Sequence, residues 1–92
     1  MILTLKEVKE YLRVDFDDED DLISGILHSA EELCAYVARK RVDELSVIES
    51  DTIRTAVMYA TAYMYEHREK ADHNALVLTL RALLFGIREE AF

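Results

Sequence analysis

Proline is absent from these 92 residues and glycine occurs only twice. The frequent tight turns of a β-sandwich or barrel therefore lack their usual residues, and the chain reads as all-α. A single cysteine, Cys34, has no partner for an internal disulfide, which fits a reducing compartment. No apolar run approaches the roughly 20 residues that span a bilayer, so no membrane association is expected. The opening MILTLKEVKEY breaks into charge almost at once and does not read as a signal peptide. Cations are also in short supply: 11 Lys and Arg stand against 19 Asp and Glu, for a formal net charge of -8. Such a chain has little with which to grip a phosphate backbone, yet acidic walls suit a duplex that must pass without sticking.

Hydrophobic residues make up 51% and charged residues 33%, the balance of one helical globular domain over residues 1–92 with enough length for a core. The periodicity predicts a compact bundle of four main helices, at about 5–13, 18–39, 51–69 and 75–85, followed by a short C-terminal tail. Thr4 and Glu7 form a capping box for the first, with Leu3 and Val8 placed as a hydrophobic staple. Every residue from 15 to 21 except Phe16 is acidic, but a calcium loop needs a central glycine and none occurs before Gly25. Asp17 or Asp18 is therefore expected to cap the second helix. Asp17, Asp18, Glu19, Asp20 and Asp21 together make an acidic surface over its positive end.

The second helix carries a wide stripe of Leu22, Ile23, Ile26, Leu27, Ala30, Leu33, Cys34 and Val37. Gly25 marks a place for a close helix crossing, and Arg39, Lys40 and Arg41 complement the negative C-terminal pole. Residues 42–49 read as a connector with about one helical turn. Ser50 caps the third helix, and Asn74 the fourth, whose buried face is Leu76, Val77, Leu80, Leu83 and Leu84. Gly86 suits the left-handed position that ends a helix. The remaining residues form a tail in which Ile87, Arg88 and Phe92 are candidates for docking on a partner.

The third helix is apolar on more than one side. Ile53, Ala56, Val57, Ala60, Tyr63 and Met64 share one broad face, while Met58, Ala62 and Tyr65 turn roughly the other way. One face suits the domain's own core. The other asks for a second cover, either another helix of this chain or a neighbouring subunit.

Catalytic and ligand chemistry finds little support. Cys34 lies mid-helix among apolar residues, where burial keeps a thiol inert. His67 is expected on the core-facing side of its helix and His28 at the border of its own. His67 and His73 have the wrong interval for a zinc pair within one helix. Glycine-rich phosphate loops are absent, and Tyr59, Tyr63 and Tyr65 are better explained by packing than by base stacking. No catalytic residue, metal or cofactor is expected, and the chain is read as a non-enzyme. The enzyme that would fit best is a dimeric helical mutase of the chorismate mutase kind, with Arg13, Arg39 and Arg41 holding a dicarboxylate, yet all three stand at helix ends. A small helical adaptor or regulator is the other alternative.

Three segments taken together, ILTLKEVKEYLRVDFDDEDDLISGILHSAEELCAYV, IRTAVMYATAYMYEHRE and LRALLFGIRE, resemble the head-tail connector proteins of tailed bacteriophages, also described as head completion or DNA packaging adaptor proteins. The resemblance rests on a short helix and acidic turn, a long helix, and a second long helix ending in Tyr65, Glu66, Arg68 and Glu69. A leucine-rich helix with Leu80, Leu83 and Leu84 follows. It departs at Phe85, Gly86, Ile87 and Arg88, where family members often carry a proline and an aromatic-arginine step. The resemblance implies a phage or prophage structural protein that self-assembles into a ring of about a dozen copies between portal and tail. Such a ring extends the DNA channel and completes the head. Its implied partners are the portal protein and a tail-proximal completion protein, with DNA only passing through the lumen. Its implied location is the virion head-tail junction, after assembly in the host cytoplasm. On this reading Met58, Tyr59 and Tyr65 lie at a subunit contact.

Overall fold

The first helix begins where Thr4 can satisfy the backbone left open at a helix start. In the computed structural model, which describes residues 2–68, 70 and 72–89, α1 spans Leu5–Leu12. Thr4 Oγ1 accepts from the Glu7 amide at 3.1 Å, and the Glu7 carboxylate accepts from the Thr4 amide at 3.0 Å. Leu3 and Val8, on either side of the cap, are both buried in the core. Arg13 then turns left-handed, with φ of 61°, and the Val14 amide donates to the Lys9 carbonyl at 2.9 Å. This is the helix ending usually given to glycine.

α2 spans Asp20–Ala38 and starts later than the acidic run suggested. Neither Asp17 nor Asp18 caps it: Glu19 occupies the cap position and makes no side-chain cap bond. The Asp17 carboxylate is drawn instead to the Lys9 ammonium at 2.8 Å, a full positive charge where a helix start offers only a partial one. α2 ends on a second left-handed arginine, Arg39, with φ of 59°. The basic triplet thus lies beyond the last turn rather than within it, and Arg41 pairs with Asp43 at 3.3 Å and with Glu44 at 3.6 Å at the start of the next helix. That helix, α3 (Val42–Ser46), is the single turn expected of the connector, anchored by buried Leu45.

α4 spans Asp51–Glu66, with Ser50 Oγ accepting from the Ile53 amide at 3.3 Å. It stops short of residue 69 because His67 leaves helical geometry, its ring stacked on Tyr63 with centroids 4.1 Å apart. α5 spans His73–Glu89. Its start is capped by Asp72, whose carboxylate accepts from the Ala75 amide at 3.0 Å, and not by Asn74. Gly86 does not end it: neither glycine has a positive φ, and the helix continues through Gly86 for another three residues. A helical glycine costs only about 1 kcal/mol relative to alanine, which leucine packing in the same helix offsets. Phe92 and the side chains of Ile87 and Arg88 lie outside the described residues.

Helices α2, α4 and α5 pack mutually, with α2 against α4 the largest contact. Small residues make that closeness possible: Ala30, Cys34 and Ala38 on α2, and Ala56 and Ala60 on α4, are all fully buried. Gly25 has no such role, since a Cβ there would meet nothing within 4 Å. α1 packs on the same α2–α4 pair as α5 but makes no substantial contact with α5. Overall extents of 43 × 28 × 17 Å agree: the thin dimension is two helices deep, so α1 and α5 occupy opposite edges of the central pair.

Candidate functional site

Two clusters and one bare stripe emerge from this scaffold. The first cluster is built around the N-terminal segment. Glu31, a carboxylate on α2 only 3% exposed, accepts from the Ile2 amide at 2.7 Å. From α4, Arg54 donates to the Ile2 carbonyl at 3.1 Å and pairs with Glu7 of α1. Pinned on both sides, the segment places Leu3 at the floor of a groove of about 310 Å³ between α1 and α4, walled by Tyr11, Thr55, Met58 and Tyr59. The Thr4 amide and Arg54 together hold the Glu7 carboxyl below its usual range. Met58 and Tyr59 thus line one groove together with Tyr11, which is 58% exposed and was not among the residues singled out from the sequence.

Tyr65 goes elsewhere. Its hydroxyl donates to Glu19 Oε1 at 2.5 Å, and the Arg68 guanidinium lies over its ring at 4.6 Å. Arg68 also stands 3.8 Å from Glu19 Oε2. The bond to Glu19 pushes the phenol above its ordinary value. Tyr65 therefore ties the end of α4 to the acidic turn within one chain. Lys9 does the same from α1, lying 2.8 Å from Asp17 and 2.7 Å from Asp20. Asp17 sits below its usual range and Lys9 above its own because each stabilises the other's charge. Of the acidic run, Asp17, Glu19 and Asp20 are engaged internally, while Asp18 and Asp21 join Asp15 at the exposed surface.

The bare stripe lies on α5. Leu76, Leu80 and Leu84 are buried as the periodicity required, yet Leu78 and Phe85 are 64% and 58% exposed. Together with exposed Ala75 and Ala82 they form an outward apolar row, so α5 has surface to spare. By contrast α4 is largely covered by its own chain. Ala62 is buried, and Met58 and Tyr65 pack partly against the core. The signal for α5 was present in Leu78, which helical spacing places away from the face of Leu76, Leu80 and Leu84.

Chemistry stays outside these clusters. Among the described residues no group of three His, Cys, Asp or Glu side chains is placed to hold a metal. His28 and His67 are exposed rather than core-facing or bordering, and His73 is exposed at the start of α5. Cys34 is fully buried, and burial pushes its thiol up to about 12, beyond reactivity at neutral pH. Arg13 ends α1, Arg39 ends α2 and Arg41, at the start of α3, pairs with Asp43 and Glu44, so the three arginines stand at the ends of three different helices. Among the described residues no helix is long and apolar enough to cross a membrane.

A family model described as Phage gp6-like head-tail connector protein matches residues 2–89. No curated protein and no solved structure matches the chain.

Proposed function

Because the chain belongs to the phage gp6-like head-tail connector family, a family of structural phage proteins, we propose that identical copies assemble into a ring between portal and tail. The ring extends the DNA channel, completes the head and offers its far side to the next tail component. The family match over nearly the whole chain carries this reading. Exposed Leu78 and Phe85 in one row on α5, and exposed Tyr11 and Tyr59 at the α1–α4 groove, support it as grouped apolar surface of the kind that marks a contact. In the ring, Met58 and Tyr59 lie at the subunit contact, while Tyr65, about two turns further along α4, holds the acidic turn of its own chain through Glu19. The charge of -8 keeps a lumen from gripping the duplex that slides through it.

Imaging of the purified chain mixed with the portal protein of its phage tests the proposal. An added annulus of density coaxial with the portal is the expected outcome. Portal particles unchanged by a large excess of the chain would contradict it.

A further inference from the structure

A ring of identical copies needs a head-to-tail contact, in which two different surfaces of one molecule meet their counterparts on the neighbours. The α5 stripe and the α1–α4 groove differ in shape in the way such a contact requires. On α5, Ala75, Leu78, Ala82 and Phe85 form a convex row on one side of the helix, all exposed. Between α1 and α4, Leu3, Tyr11, Thr55, Met58 and Tyr59 form a concave apolar site of about 310 Å³, wide enough for a large anchoring side chain. The two lie on opposite edges of the α2–α4 pair, so one molecule cannot close them on each other and a neighbour can.

Charge agrees with shape. Residues 73–88 contain no Asp or Glu, and exposed Arg81 borders the apolar row on α5. On the side of α4 that carries the groove-lining Thr55 and Met58, exposed Asp51 and Glu66 stand at helical spacing beyond either end of the groove. The cation lining the groove, Arg54, is already committed to Glu7 and the Ile2 carbonyl. An apolar row with a basic margin thus faces an apolar groove that exposed carboxylates flank along α4.

We propose that the α1–α4 groove of one copy receives the α5 stripe of the next, with Phe85 and Leu78 as the inserted anchors. This rests on the ring reading above and names the two faces that make the contact. Two exposed substitutions separate the halves: Phe85→Asp removes the stripe's anchor, and Thr55→Arg fills the groove while leaving the core untouched. Each variant alone is expected to stay monomeric under conditions where the wild type assembles, with an unchanged helical circular dichroism signal. Mixed at equal and high concentration, they are expected to form a species of twice the chain mass and nothing larger, because each retains the face the other lost. Wild-type-like assembly of Phe85→Asp alone would overturn the docking, leave the ring standing and assign the stripe to another protein. Mixed variants that remain monomeric would also overturn it. A wild type that stays monomeric at millimolar concentration with portal present would overturn the ring itself.

Discussion

Glu31 and the two left-handed arginines show how much single residues settle in this fold. Glu31 is almost wholly buried and holds the Ile2 amide. Replacing it with alanine strands that donor beside the core, so Glu31→Ala is expected to cost about 2 kcal/mol in urea unfolding. A loss under a few tenths would contradict the pinning role. Arg39 takes a backbone conformation that costs a side-chain-bearing residue about 1–2 kcal/mol, partly returned as chain entropy if glycine is used instead. Arg39→Gly is therefore expected to stabilise by about 0.5–1 kcal/mol, and a net loss in the same measurement would contradict the strain. Neither feature was legible in the sequence. Glu31 stands beside Glu32 and is acidic, and it reveals its burial only when residue 2 folds back over it. Arginine is not a residue that announces a left-handed ending. The Thr4 and Ser50 caps, by contrast, were readable because their partners lie three residues away.

At the scale of elements, the acidic turn is held by Lys9 of α1 and Tyr65 of α4, and the pH dependence of the fold follows. Asp17 and Glu7 titrate below their unfolded values, so their ionised forms stabilise the fold above the ordinary carboxylate range, and that stability is lost as pH falls through the depressed values. Lys9 and Tyr65 are raised, so their contributions are complete below about pH 10 and are lost as pH climbs through the raised values. The urea midpoint is expected to be flat between about pH 5 and 9 and to fall on both sides. Lys9→Met is expected to make both limbs shallower, since it removes the partner of Asp17. Limbs identical to wild type would contradict the assignment. The central pair makes a separate prediction: Ala60→Leu forces extra volume between α2 and α4 and is expected to cost about 2 kcal/mol in thermal or urea unfolding. Periodicity located all four long helices because each buries a stripe at helical spacing. It misplaced their ends where a competing partner intervened: Lys9 for Asp17, Tyr63 for His67, Asp72 for Asn74.

For the molecule as a whole, the question the sequence posed about α4 receives a divided answer. The face bearing Tyr65 is covered from within, by Glu19 and Arg68, while Met58 and Tyr59 line an open groove on the edge opposite α5. Exposed apolar surface on α5 is carried by Leu78 and Phe85, neither of which belongs to the buried face that its helical spacing defines. The interior of the domain was thus legible, because burial follows periodicity. The contact surface was legible only in part, because which apolar residues stay outside depends on how the helices stack. Native mass spectrometry of the intact chain, alone and with its portal protein, tests the central claim most directly. The account predicts a closed assembly of one fixed copy number, about a dozen. A chain that remains monomeric or dimeric at every concentration, with portal present, would contradict it.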